Sequence, residues 1–164
     1  MEIVRYCTPE WLDESARRYE LNPALGESLK KVSVKVAFRV LAEPEWGIDA
    51  SIVFGGVIEH GHLLELGFMD PQKTKNEMEF VLDATPQEWK KILRKESKFL
   101  TDFMLGKITL AQGSKVGILA VAPHANSLVD ALTQVPIVFP DEMPLVELDA
   151  YRALMKEFRS QMGV

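Results

Sequence analysis

Val32-Ser33-Val34-Lys35-Val36-Ala37-Phe38-Arg39-Val40 is the stretch on which the fold turns. Val32, Val34, Val36, Phe38 and Val40 fall on one side of an extended chain, and Ser33, Lys35, Ala37 and Arg39 on the other. Side chains alternate across a strand, so this period of two predicts a β-strand with one buried face. The residues before it follow a helical period. Thr8-Pro9-Glu10 sets a hydroxyl cap ahead of a proline at the first helical position, and Leu12, Ser15, Ala16 and Tyr19 recur at helical spacing. Asn22-Pro23 repeats that start for a second helix through about Lys31.

Downstream, Glu43-Pro44-Glu45-Trp46-Gly47 predicts a turn. Ile48, Ala50, Ile52, Phe54 and Ile58 then alternate with Asp49, Ser51 and Gly55 in a second strand. Gly55-Gly56 inside it marks a bulge or a close backbone approach. Glu59-His60-Gly61 predicts a hairpin turn, after which His62, Leu64, Leu66 and Phe68 share one face of a third strand. Asp70 to Asn76 is polar and predicts a loop; Met78, Phe80 and Leu82 share one face of a fourth strand. Three strands joined by short turns imply a largely antiparallel sheet.

Helices dominate the rest. Thr85-Pro86-Gln87-Glu88 has the form of a capping box, with Glu88 placed to reach back to the cap amide, and Trp89, Ile92 and Leu93 supply the inner face. Ser97 opens a helix with Phe99, Leu100, Phe103 and Met104 on one side, and Gly106 stops it. Lys107 to Gln112 is a short fifth strand with Ile108 and Leu110 inward. Ser114 caps an apolar segment from Val116 to Ala122, and a further helix covers Asn126 to Gln134. Val135 to Pro144 carries three prolines and is expected to be irregular, and a last helix runs from about Leu145 to Gln161. The fold class expected is α+β: a five-stranded, largely antiparallel sheet covered on one face by helices, with an extra C-terminal helix. Residues 1–140 are expected to form one domain, and residues 141–164 a helical extension packed on it or on a second subunit. Leu148, Tyr151, Met155, Phe158 and Met162 form a stripe on that last helix that requires burial. The dense apolar pattern from Asp49 to Phe68 leaves a homodimer surface as one expectation.

The 164 residues are 47% hydrophobic and 26% charged, enough for one domain with a real core. A net charge of −5 argues against a nucleic-acid partner, whose binders carry a basic stripe. Lys90, Lys91, Arg94, Lys95 and Lys98 come nearest to one, but Glu88 and Glu96 interrupt them, as on a solvated helix face. Cys7 is the only cysteine, which excludes an intramolecular disulfide and a thiolate zinc site and suits a small buried hydrophobe. Met1 to Arg5 lacks the pattern of a signal peptide, and apolar runs such as Val116 to Pro123 are too short for a transmembrane span. The expected location is the cytoplasm.

His60-Gly61-His62 is the best metal candidate, because residues two apart on a strand project to the same side. No third ligand on a defined element accompanies the pair, so no metal is assigned. A metal-dependent enzyme using His60 and His62 stands only as an alternative. Pro123-His124-Ala125-Asn126-Ser127 lacks a nucleophile motif, and Asn126 or Ser127 is better explained as a helix cap. Gly55-Gly56 and Gly113-Ser114-Lys115 lack the spacing of a phosphate loop. The missing catalytic constellation favours a binding module over an enzyme, with no cofactor.

Phe99-Leu100-Thr101-Asp102-Phe103-Met104-Leu105-Gly106-Lys107-Ile108-Thr109-Leu110-Ala111-Gln112-Gly113, followed by Ser114 to Ala120, resembles the sterol-carrier-protein lipid-binding domain: a helix, a Gly-Lys turn into a short strand, a glycine and an apolar helix. Val34 to Val40 resembles that family's first strand, and Met78 to Thr85 the strand before its helix. The resemblance covers roughly residues 9 to 134. It implies a soluble carrier that binds a fatty acid, fatty acyl thioester, sterol, isoprenoid or phospholipid in a tunnel between sheet and helices. A non-catalytic subunit presenting a lipid or quinone substrate to a partner enzyme is the alternative in the same class. The lining residues expected on this basis are Phe99, Phe103, Met104, Val116, Leu119 and Ala120, with Phe80 from the sheet.

Overall fold

The computed structural model of the protein describes residues 2–164; Met1, the first residue of the expected domain, lies outside them. In chain order the elements are β1 (Val4–Arg5), α1 (Pro9–Glu20), α2 (Pro23–Ser28), β2 (Val34–Val40), β3 (Ile52–Glu59), β4 (His62–Met69), α3 (Pro71–Glu77), β5 (Phe80–Ala84), α4 (Pro86–Leu93), α5 (Phe99–Met104), β6 (Thr109–Gln112), α6 (Lys115–Val121), α7 (Ala125–Leu132), β7 (Ile137–Val138) and α8 (Leu145–Met162). Five strands form one sheet in the order β4-β3-β2-β5-β6, with β2 at its centre. Pairs β2–β3, β3–β4 and β5–β6 are antiparallel, while β2 and β5 run parallel. The sheet is therefore mixed, with the α+β architecture expected.

The parallel pair exists because the chain leaves the edge strand β4, crosses β3 and β2, and enters β5 on the far side. That crossing carries α3, in place of the loop expected from the polar run Asp70 to Asn76. Asp70 accepts a hydrogen bond from Lys73 N–H at 2.8 Å, and Pro71 follows it. This is the cap-then-proline start also seen at Thr8, Asn22 and Thr85. The helix hides in the sequence because Thr74 is its only buried residue, so no apolar period marks it.

Val36, Phe38, Phe54, Phe80 and Leu82 face the main core. Ala37, Val53, Met69 and Val81 point to the opposite face, and Met78, the C-cap of α3, packs with them. Met78 thus does not share a face with Phe80 and Leu82. The second strand starts at Ile52, not at Ile48; Ile48 instead pairs with Glu43 to close the preceding turn. In β4 the alternation breaks. Val57 lies opposite Glu65 and Ile58 opposite Leu63, leaving Leu64 as the extra residue of a bulge and 60% exposed. Leu63, Leu66 and Phe68 pack against the core instead. Gly55 marks a close approach: a Cβ there would sit 2.8 Å from the Val36 carbonyl oxygen and 2.9 Å from Met69 Cε.

Val135 to Pro144 is more ordered than expected, since β7 pairs in parallel with β1. Two-residue strands are too short to show a period. Asn126 and Ser127 lie inside α7, which follows a tight turn at Ala122–His124, and neither caps it. The C-terminal helix α8 packs on its own chain. Tyr151, Met155 and Phe158 are buried, Phe158 meets Phe68 at 5.2 Å between ring centroids, and Arg159 donates to the carbonyls of Ala50 and Ser51. Met162, the last of its stripe, remains half exposed. The basic run from Lys90 to Lys98, which leaves α4 after Leu93, is not simply solvated: Lys90 pairs with Asp141, Arg94 with Glu142 and Lys95 with Asp130. No helix among the described residues is long and apolar enough to cross a membrane.

Candidate ligand-binding cavity

The alternation of β2 places Val36 and Phe38 under the helices, and β3 and β5 add Phe54 and Leu82 beside them. These four side chains form the floor of an apolar cavity of about 70 Å³. Trp89, Ile92 and Leu93 of α4 and Phe99 of α5 make one wall. Ile118 and Val121 of α6, Ala122, and Ala125, Leu128, Val129 and Leu132 of α7 make the roof. Tyr6, next to β1, also lines it. Phe38 packs edge-on against Trp89 at 5.5 Å and tilts against Phe54 at 5.3 Å, so the floor is an aromatic cluster of defined geometry.

Among the described residues no charged side chain borders this space. The Trp89 indole N–H donates to the Arg39 carbonyl at 3.1 Å, and so is satisfied. The volume of the cavity is smaller than the roughly 300–1,000 Å³ of a site that encloses a drug-sized molecule. A long ligand therefore needs the roof to move. Helix α7 is suited to that, since none of its residues is fully buried, whereas Val36, Phe54 and Leu82 of the floor are buried.

The sequence-expected residues divide. Phe99 borders the cavity, and Phe103 stacks on it at 5.6 Å, half buried behind the wall. Phe80 is buried, but its ring packs on Gly113 and Gly117 outside the cavity. Met104 is 63% and Val116 81% exposed, and Leu119 and Ala120 also face outward. In α6 the inward residues are Ile118 and Val121, one helical step round from Leu119 and Ala120. The signal that locates the roof is a stripe at spacings of four and three, Ile118, Ala122, Ala125, Val129 and Leu132, running across Pro123 through two helices. Ending the apolar segment at Ala122 and starting the next helix at Asn126 hides it. Tyr6 carries no sequence signal of this kind.

His60 and Gly61 have φ of 49° and 79° and form the hairpin turn; both histidines are exposed. Among the described residues no group of three or more His, Cys, Asp or Glu is placed to hold a metal. The capping box is half formed. Thr85 Oγ1 accepts from Glu88 N–H at 3.2 Å, but no bond returns from the Glu88 side chain to the cap amide. The Glu88 carboxyl is buried beside Asp102 of α5, with one oxygen of each lacking a partner among the described residues. Burial pushes the Glu88 carboxyl up to about 7, the Asp102 carboxylate adds to this, and Lys107 and Lys91 oppose it. This pair lies between α4 and α5, outside the cavity lining.

No protein-family model and no curated protein sequence matches the chain. Solved structures do. A conserved hypothetical protein of Thermus thermophilus, described as a candidate sterol carrier protein, superposes with a TM-score of 0.68 at 20% identity, covering 84% of this chain and 94% of that one. A crystal structure of sterol carrier protein 2 gives 0.64 at 22% identity, over 78% of this chain and 97% of the other. Apo sterol carrier protein 2 from Yarrowia lipolytica gives 0.51 at 13% identity, over 74% and 88%. At these identities the likeness is one of fold, and the chain has the sterol carrier protein 2 fold.

Proposed function

We propose, from this fold and its charge-free cavity, that the protein is a carrier holding a lipid-like apolar molecule between its sheet and helices α4 to α7. The observation that carries the reading is the cavity wall, drawn from three strands and four helices and built of apolar side chains around Tyr6. Each methylene buried there is worth about 0.8 kcal/mol, so even a short alkyl chain brings several kcal/mol toward displacing the roof. The expected residues Phe99 and Phe103 act here as wall and backing. Met104, Val116, Leu119 and Ala120 lie on the outside of the same helical layer, where they meet a ligand only as it passes.

The reading includes no catalytic step. Cys7 is fully buried and its thiol is pushed up to about 12 by burial, so it is not a nucleophile. His60 and His62 are outside the cavity lining. Native mass spectrometry of freshly purified protein, followed by organic extraction, tests the carrier reading. A retained lipid of one chemical class is the expected result. A clean apo mass, with no uptake of added decanol, methyl decanoate or decanoate, ends it.

A further inference from the structure

All three tyrosines are buried, and two are satisfied. Tyr19 donates to the Gly61 carbonyl at 2.7 Å, and Tyr151 donates to the Tyr6 carbonyl at 2.6 Å. The indoles of Trp11 and Trp89 likewise donate to the carbonyls of Leu132 and Arg39. Tyr6 is the exception. Its side chain is fully buried and its hydroxyl has no hydrogen-bond partner among the described residues. The residue cannot easily turn to find one. Its N–H donates to Val138, its carbonyl accepts from Tyr151, and its ring stacks on Phe139 at 4.8 Å and packs on Trp11 at 5.2 Å.

A buried hydroxyl without a partner costs about 1–3 kcal/mol, and native interiors rarely keep one. Phenylalanine would make the same ring contacts without that cost. Tyr6 also borders the cavity, which is the space beside it that a ligand can enter. We propose that the Tyr6 hydroxyl is the polar anchor of the cavity, and that the ligand is a neutral lipid with a hydroxyl or carbonyl oxygen at its buried end. This rests on the carrier reading and narrows it to one chemical class.

The neutrality follows from what surrounds the anchor. No charged side chain lines the cavity. Lys90 and Arg94 stand over the Phe139 ring, 5.4 and 5.1 Å from its centroid, and both are paired with carboxylates of Asp141 and Glu142. A buried carboxylate would meet one neutral donor and no free cation, and an uncompensated buried charge costs several kcal/mol. A carbonyl or hydroxyl oxygen needs one good hydrogen bond, which a phenol supplies. Burial pushes the Tyr6 phenol well above its ordinary pKa, so it keeps its proton to donate. Water is a poor substitute, because a buried water requires two to four polar partners and this wall offers one.

The test uses the full chain after delipidation, with displacement of Nile red by decanol, decane and decanoate at pH 8. Wild type is expected to bind decanol more tightly than decanoate. In Tyr6→Phe the affinity for decanol relative to decane should fall about tenfold, with decane itself held as well as before. Apo Tyr6→Phe should melt above apo wild type, and saturating decanol should close the gap. Decanoate binding wild type more tightly than decanol overturns the ligand class, and needs no variant. An unchanged decanol-to-decane ratio in Tyr6→Phe overturns the anchor while the carrier reading stands. Failure of all three to displace Nile red from wild type sinks both.

Discussion

The hydroxyl of Tyr151, on the C-terminal helix, donates at 2.6 Å to the carbonyl of Tyr6, 145 residues earlier in the chain. The bond ties α8 to Tyr6, which borders the cavity. Both partners are buried, so no water replaces the donor if it is lost. Tyr151→Phe is expected to destabilise the fold by about 1–3 kcal/mol, the cost of an unpaired buried acceptor. Urea denaturation measures it; an unchanged midpoint would show that α8 is held by its apolar contacts alone.

Gly55 and Gly67 face each other across β3 and β4 but differ in what surrounds them. A Cβ at Gly55 meets the Val36 carbonyl and Met69 within 3 Å, while one at Gly67 meets nothing within 4 Å. Gly55→Ala should cost about 1–3 kcal/mol by overpacking. Gly67→Ala should stay within about 0.5 kcal/mol of wild type. Equal midpoints for the two variants would contradict the close approach.

Glu88 makes stability depend on pH in an unusual direction. The folded carboxyl is pushed up to about 7 from an ordinary 4.5, so between those values the folded state holds a proton that the unfolded chain has released. Stability is then greatest at the acid end of this window, declines as pH rises through it by up to about 1.4 kcal/mol per unit, and levels off above it. Glu88→Gln keeps the shape without the charge. It should flatten the profile and be more stable than wild type at pH 8. Parallel profiles for the two proteins would remove Glu88 as the cause.

Ala125 is a half-buried roof residue bordering the empty volume. Ala125→Leu adds three carbons toward a cavity of about 70 Å³. Filling it should raise the melting temperature while weakening Nile red and lipid uptake at least about tenfold, since ligand and side chain compete for one space. Unimpaired uptake with a raised melting temperature would place the ligand elsewhere.

The strands and most helices were legible because their signals are local. The alternation of Val34 to Val40 and the caps at Thr8, Asn22 and Thr85 depend on residues within a few positions of one another. Where local rules conflicted, the reading failed: α3 carries a cap without an apolar stripe, and the bulge at Leu64 reverses the faces of β4.

From its own order of residues the chain determined the five strands of the main sheet, a cap-and-stripe helical layer and the absence of any charge run that would fit a nucleic acid. Whether an apolar helical residue points in or out was decided only by packing: Ile118 and Val121 look into the cavity, while Val116, two residues before Ile118, looks at solvent. Tyr6 became a candidate anchor only in three dimensions. Its neighbours Phe139 and Tyr151 come from more than a hundred residues away, and an unpaired hydroxyl is defined by everything that fails to reach it.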